Sequence, residues 1–175
     1  MNGQDILEIV SRATEEFGIK CRKFNGTMTV ELIRKALLEE GFNVSERDVF
    51  INRIPIEIDL LIVQKGTNSP NRINYKPADI LVAFEIKCRG TFGEESIKSI
   101  ANHFKIIKEA RENINCMYVT LSERKTYKWK ATEENINAPA YTLFWHSGPE
   151  NKLKFDPTGD WEKLIKDLSN IVTAV

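Results

Sequence analysis

Two spacings of apolar residues recur along this chain, and they predict a series of helices and strands. Apolar positions three and four apart predict helices over 3–17, from Thr27 or Thr29 to Gly41, over Ser96–Glu112 and over Asp160–Val172. Runs rich in branched apolar and aromatic residues predict strands within 48–66, around 80–90, at Cys116–Ser122 and at Ala140–His146. Gly66–Pro77 is rich in turn-forming residues and is predicted to be a loop.

The order of these elements, α-α-β-β-β-α-β-β-α, is typical of an α/β protein with a mixed central β-sheet and helices on both faces. The chain has 175 residues, of which 42% are hydrophobic, so we expect one globular domain over 1–175. Lys plus Arg and Asp plus Glu both number 25, so the formal net charge is zero. Any basic surface for a nucleic acid must therefore be local.

Cysteine use and the N-terminal sequence indicate where the protein works. Cys21, Cys88 and Cys116 are widely spaced and form no CxxC pair, which favours reduced thiols and makes a zinc site unlikely. The N-terminal MNGQDILEIVSR has neither the basic nor the apolar region of a signal peptide. No apolar run approaches the roughly 20 residues that span a bilayer. We expect a cytoplasmic protein without a membrane partner.

The segment AFEIKCRG, at 83–90, places charges where an apolar strand has just been established. The preceding residues 80–84 are all apolar, as in a strand that is covered on both faces. Glu85, Lys87 and Arg89 then occupy alternate positions, so their side chains project to one face of the sheet. Unpaired charges at a covered face cost several kcal/mol, so these three require a partner.

Asp59 supplies a second acid at a similar place, because it ends an alternating strand just before the apolar run 60–63. Two carboxylates brought side by side repel each other, and a divalent cation removes that repulsion. Oxygen ligands suit Mg²⁺ or Mn²⁺. Lys87, on the same face as Glu85, would then lie beside the metal.

Asp59 followed by Glu85-Ile86-Lys87 resembles the D…ExK signature of the PD-(D/E)XK, or restriction-endonuclease-like, nuclease superfamily. The segment TVELIRKALLEEGFNV looks like the first core helix of that fold. The similarity covers roughly 27–122, with an N-terminal helix before it and a strand–helix extension after it. The chain departs from the strict pattern in one respect: Pro55 stands four residues before Asp59 rather than next to it.

This resemblance implies a restriction-endonuclease-like fold and a phosphodiesterase site. Asp59, Glu85 and the Ile86 backbone carbonyl would be the metal ligands, with Mg²⁺ or Mn²⁺ as the cofactor. Lys87 would be the catalytic lysine and Glu31 an auxiliary catalytic acid. The implied activity is metal-dependent hydrolysis of phosphodiester bonds in DNA, of restriction, repair or junction-resolving type, with RNA as another possible substrate and a homodimer as a possible assembly.

Other interpretations of the same residues stay open. Glu31 can be an ordinary helix acid paired with Lys35 at i, i+4. Asp59 can end a strand by accepting turn amides, and the charges at 85–89 can lie on a solvated edge. His103 is expected on the protein surface, and Cys88 is expected to be a small core residue rather than a nucleophile.

Basic side chains, some interleaved with aromatic residues and some on or after the charged strand, give the predicted nucleic-acid contacts; ordinary solvated loop charges are the alternative for the two basic segments. SERKTYKWK, at 122–130, interleaves basic residues with Tyr127 and Trp129, and such segments contact phosphates and stack bases. The predicted contact residues are Arg89, Lys105, Arg124, Lys125 and Lys128; a second basic segment, IKCRKF, lies at 19–24. A nuclease-fold module without turnover, serving as a nucleic-acid-binding or assembly subunit, is the alternative function.

Overall fold

The computed structural model describes residues 3–6, 8–9, 12, 22–67, 73–89, 93–148 and 153–174. Its helices are α1 (Arg22–Glu39), α2 (Glu94–Ala110), α3 (Glu133–Ile136) and α4 (Asp160–Thr173), with a short 3-10 turn at Pro77–Asp79. Its strands are β1 (Val49–Ile51), β2 (Glu57–Ile58), β3 (Leu60–Val63), β4 (Asn74–Tyr75), β5 (Ile80–Arg89), β6 (Asn115–Glu123), β7 (Ala140–Ser147) and β8 (Lys154–Pro157). The helix predicted over 3–17 falls largely outside the described residues, although those described between 3 and 12 are helical.

The central sheet has the strand order β3-β5-β6-β7-β8. β5 pairs in parallel with β6, and β6 with β7, whereas the outer strands β3 and β8 pair antiparallel with their neighbours. A smaller sheet has the order β2-β1-β4. The predicted mixed sheet is therefore confirmed.

Two apolar cores lie on the two faces of the central sheet, because successive residues of a strand point to opposite sides. Phe84 and Ile86 of β5 belong to the core that includes residues of α1 and α4. The side chain of Ala83 points to the opposite face and belongs to the core that includes residues of α2 and of the small sheet. Helices cover both faces, as the sequence predicts. None of the described helices is long and apolar enough to cross a membrane.

Helix α1 begins earlier than the sequence predicts. Neither Thr27 nor Thr29 is an N-cap, because the helix already includes Arg22. Thr29 is instead 3% exposed and its side chain meets the Cys88 thiol of β5. The predicted end is confirmed: Gly41 has a positive φ of 87°, and its N–H and that of Phe42 close the last turn onto Leu38 and Leu37 carbonyls.

Short elements are where prediction from sequence was incomplete. The predicted loop Gly66–Pro77 contains strand β4, which pairs in parallel with β1. Strand β8 and the one-turn helix α3 were not predicted. Helix α2 runs over Glu94–Ala110, two residues before its predicted bounds, and carries acids in its first turn, where the helix dipole favours them.

Candidate active site

Asp59 lies opposite Glu85 at the end of the β3–β5 ladder. The last antiparallel pair in the register is Leu60 with Phe84, and one further step brings Asp59 opposite Glu85. Directly opposite residues of an antiparallel pair project to the same face of the sheet. Both carboxylates therefore lie on the face that α2 covers, because Leu60 and Phe84 belong to the other core.

A hydrogen bond between the strands fixes the position of the Asp59 side chain. The Ile86 backbone N–H donates to Asp59 Oδ2 at 2.5 Å. Ile86 therefore directs its N–H toward the β3 side, and the carbonyl of the same residue points that way as well, because both groups of a strand residue face one neighbour. The Asp59 carboxylate, the Glu85 carboxylate that acts on its pKa and the Ile86 carbonyl thus belong to neighbouring positions where β3 ends. The Asp59 carbonyl in turn accepts from the Asp48 N–H at 3.2 Å.

Lys87 shares this face and pairs with Glu85. Its ammonium contacts Glu85 Oε1, with the Lys87 side chain 42% exposed and that of Glu85 12% exposed. Burial lowers the pKa of Lys87, but the Glu85 charge, its hydrogen bond and the Asp59 charge raise it above the usual value overall. Lys87 is thus held as a cation beside two acids, with part of its side chain open to solvent.

The surroundings of Asp59 raise the pKa of its carboxyl when no cation is present. Burial and the Glu85 charge raise its pKa from 3.8 to about 6, against the opposing effects of the Ile86 N–H and Lys87. The nearby Asp48 charge adds to the rise. A carboxylate with this environment gains from a positive ion more than an exposed one does.

Three residues on neighbouring elements complete the site and were not predicted from the sequence. His103, expected on the surface, is half-buried on α2 with Nδ1 3.9 Å from Glu85 Oε2. On β6, Tyr118 stands opposite Glu85 and Thr120 opposite Lys87 in the parallel register, and both are buried. The sequence places His103 on the helix that follows the charged strand, and this was the only signal for it. Its contact with Glu85 depends on how α2 crosses the sheet, which the sequence does not show.

Glu31 is placed differently from the other predicted catalytic residues. Its helix α1 contributes Val30 and Ile33 to the core on the opposite face of the sheet from Glu85. The Glu31 carboxylate lies 3.5 Å from Arg34, rather than beside Lys35 as its alternative interpretation suggested. It also lies in the middle of its helix rather than in the first turn. The described contacts do not bring it to Asp59 or Glu85.

The donor set fits a divalent cation of the magnesium type. Mg²⁺ is usually held by one or two carboxylates while it keeps several waters or binds substrate phosphate. Asp59, Glu85 and the Ile86 carbonyl would supply two carboxylates and a carbonyl to such an ion. Among the described residues, His, Cys, Asp and Glu form no cluster of three that could hold an ion. A dedicated all-side-chain cage is thus not found in that part of the chain.

The predicted nucleic-acid contacts fall into two groups. Arg89 is the last residue of β5, and Arg124 and Lys125 follow β6, so these three lie at or just beyond the C-terminal ends of adjacent strands. Lys128 stacks over the Trp129 ring at 5.0 Å and is exposed. Lys105 is an exposed residue of α2 whose ammonium lies 3.8 Å from Glu109. The segment IKCRKF lies largely outside the described residues.

Cys88 is a packing residue, as predicted. It lies against the core that α1 covers, and burial raises the pKa of its thiol despite the Thr29 hydrogen bond and the Arg89 charge. A thiol of this kind is mostly protonated near neutral pH and is a poor nucleophile.

Comparison with known proteins gives a structural match without sequence similarity. No family model matches the chain. No curated protein matches it. Among solved structures, P. aeruginosa NucC in its cAAA-bound form matches with a TM-score of 0.62 and 10% identity, covering 96% of this chain and 88% of that one. The fold is restriction-endonuclease-like.

Two E. coli NucC structures extend the comparison. The cAAA-bound form has a TM-score of 0.62 at 8% identity and covers 98% of this chain and 86% of that one. The apo form has a TM-score of 0.54 at 9% identity, covering 98% and 87%. Each alignment spans nearly the whole of this chain, so the likeness extends beyond the sheet and its flanking helices. At these identities it shows the fold, and the predicted fold is confirmed.

Proposed function

We propose that this protein is a metal-dependent nuclease that hydrolyses phosphodiester bonds in DNA. The observation that carries the proposal is the placement of Asp59 opposite Glu85, with Asp59 bound by the Ile86 N–H and Lys87 on the same face. An acid pair with a flanking lysine on a partly open face suits hydrolysis of a phosphate ester. The likeness of the fold to NucC nucleases supports the same conclusion.

Each residue has a distinct role in this proposal. Asp59, Glu85 and the Ile86 carbonyl hold Mg²⁺ or Mn²⁺, which when bound supplies positive charge against the scissile phosphate. The Lys87 ammonium leaves Glu85 to stabilise negative charge that develops on the phosphoryl oxygens. Tyr118 and Thr120 close the back of the site, because both are buried on the adjacent strand.

A binding or assembly subunit without turnover would not need this arrangement. Holding Asp59 partly buried beside Glu85 raises its pKa and costs stability when no cation is present. A module that only binds nucleic acid does not need a buried acid pair, so it would have no use for this loss of stability. We therefore propose the enzyme in preference to the silent module.

Cleavage assays with the purified chain test the proposal. Linear and circular double-stranded DNA, single-stranded DNA and RNA are incubated with Mg²⁺, Mn²⁺ or EDTA. We expect cleavage of DNA that requires the added metal and is absent in EDTA. Because two of the NucC structures are cAAA-bound, each assay is run with and without cAAA. Absence of cleavage in every combination would contradict the proposal.

A further inference from the structure

Three side chains that can carry positive charge lie close together at the C-terminal ends of β5, β6 and β7. Arg89 stands opposite Ser122 in the parallel register of β5 and β6. The Ser122 hydroxyl lies 3.2 Å from His146 Nδ1, on β7. Arg124 follows directly after β6, and its guanidinium reaches the Gly148 carbonyl at 3.5 Å, just beyond β7. Three neighbouring strands thus bring Arg89, Arg124 and His146 together.

A pocket of about 340 Å³ opens beside this cluster. Its lining includes Arg124, Lys125, Trp145 and His146. Asp156, an exposed residue of β8 opposite Trp145, is the only acid among the described lining residues. Arg124 and Lys125 have no ion-pair partner among the described residues. The described lining thus carries two cations, Arg124 and Lys125, against the single acid Asp156.

Arg124 and Arg89 lie close enough to His146 to disfavour its protonation. Burial, Arg124 and Arg89 together lower the pKa of His146. Clustering like charges costs free energy, and an anion placed among them recovers it. Arginine presents several N–H donors in a planar fork that matches phosphate oxygens. The Lys130 ammonium lies over the Trp145 ring, 4.9 Å from its centroid, which brings a further cation to this side of the pocket.

We infer that this pocket binds a nucleotide phosphate, with Arg124 and His146 in contact with it and Arg89 contributing charge from the adjacent strand. Ser122 acts as a positioning residue, because its hydroxyl orients the His146 ring. The inference rests on the proposed function in one respect, namely that the phosphate belongs to a nucleotide. The pocket itself lies outside the Asp59–Glu85 pair.

The location of the pocket connects it with the acid pair. Arg89 follows Lys87 by two residues on the same face of β5, which is about 7 Å along a strand. A nucleic-acid strand that passes Glu85 and Lys87 therefore runs on toward Arg89 and the pocket. The phosphate can also come from a free nucleotide, and binding experiments distinguish these two sources.

Binding is measured in EDTA, so that no result depends on cleavage. The probes are a duplex DNA oligonucleotide and deoxyadenosine monophosphate, and the variants are Arg124→Ala and His146→Gln. Lys166→Ala is the matched control, because it removes one positive charge from an exposed position on α4. Melting temperatures show that each variant is folded, and Arg124→Ala is expected to be, since its side chain is exposed.

We expect Arg124→Ala to weaken binding at least tenfold relative to Lys166→Ala, since charge-assisted hydrogen bonds are worth about 1.5–3 kcal/mol. If DNA binding weakens, the slope of log K against log salt falls by about 0.9 for each phosphate that the variant no longer neutralises, and the source is DNA. If monophosphate binding weakens and DNA binding does not, the source is a free nucleotide.

Unchanged binding of both probes in Arg124→Ala and His146→Gln, relative to Lys166→Ala, would overturn the inference. This outcome is separate from failure of the nuclease proposal. A protein that binds DNA through this pocket in EDTA but cleaves nothing with metal would retain the pocket and lose the proposed reaction.

Discussion

The Asp59 carboxylate accepts a hydrogen bond from the backbone N–H of Ile86, on the neighbouring strand, at 2.5 Å. The β3–β5 ladder ends at Leu60, so the side chain of Asp59 takes the place of a backbone partner for Ile86. The acid is therefore positioned by the register of the sheet rather than by a flexible loop. Glu85 and Lys87, on either side of Ile86, are fixed by the same register.

The first prediction concerns metal binding and stability. In the wild-type protein, Mg²⁺ at 100 times its Kd should stabilise the native state by about 2.7 kcal/mol. For a chain of this size that raises the melting temperature by roughly 5–10 °C. In Asp59→Asn the rise should be absent, because one charged ligand is removed. Thermal melts with Mg²⁺ and with EDTA measure both.

The structural interpretation of Asp59 gives the opposite result. If the residue only ends a strand, Asp59→Asn should destabilise the protein in EDTA and leave any response to metal intact. In our account the metal-free variant is as stable as wild type or slightly more so, because the repulsion from Glu85 is removed.

The second prediction concerns pH in the absence of metal. The pKa of Asp59 rises from 3.8 to about 6 on folding, so between these values the native state binds a proton that the unfolded state does not. The contribution of this group to the free energy of unfolding is therefore largest below pH 4. It is lost as the pH rises through 6, and the loss is at most about 3 kcal/mol. Urea unfolding in EDTA at pH 5 and pH 7.5 measures the change.

Comparison with Asp59→Asn isolates this effect from other titrating groups. The fall in stability between pH 5 and pH 7.5 should be smaller in Asp59→Asn than in wild type. Equal falls in the two proteins would show that neither burial nor Glu85 raises the pKa of Asp59 on folding. Added Mg²⁺ should stabilise wild type more at pH 7.5 than at pH 5, since a ligand carboxylate must be deprotonated to bind.

The third prediction separates Lys87 from the acids. Lys87→Ala should keep the rise in melting temperature with Mg²⁺ and lose about 10²–10³ in the rate of cleavage, as for removal of one donor to a developing negative charge. The matched control is Lys166→Ala, on the opposite side of the sheet in α4. Single-turnover cleavage of a labelled DNA duplex measures the rate. Loss of the metal response in Lys87→Ala would place the lysine in a structural role.

The fourth prediction concerns Glu31, which the family resemblance implies as an auxiliary acid. Because its carboxylate lies beside Arg34, we expect Glu31→Gln to change the cleavage rate less than threefold. The stability change should stay below about 1 kcal/mol, as for partly exposed ion pairs. Arg34 also donates to the Ser45 carbonyl at 2.8 Å, so Arg34→Ala should cost more. A hundredfold loss of cleavage in Glu31→Gln would restore it to the catalytic set.

The sequence could predict the parts of the site that depend on local pattern. The covered run before Glu85 and the alternation of 85, 87 and 89 indicate charges on one face, and the structure has them there. Contacts that depend on packing between distant elements could not be predicted. His103 reaches Glu85 because α2 crosses that face, and His146 reaches Ser122 because β7 pairs beside β6.

Short elements escaped prediction for a related reason. Strands β4 and β8 have two and four residues, too few to show an alternation of apolar and polar positions. They are defined by pairing with other strands, β4 with β1 and β8 with β7. The start of α1 was misplaced because Thr27 and Thr29 are good N-cap residues in isolation. In the structure Thr29 lies inside α1, buried and in contact with the Cys88 thiol.

The most direct test of the central claim is single-turnover DNA cleavage in Mg²⁺ by Asp59→Asn and Asp48→Asn. The two changes are chemically identical and lie on backbone segments joined by the Asp48 N–H to Asp59 carbonyl bond. Asp48 has a positive φ of 53°, which asparagine tolerates. We predict that Asp59→Asn abolishes cleavage and that Asp48→Asn retains it within a few-fold of wild type. Cleavage by Asp59→Asn at the wild-type rate would contradict the account.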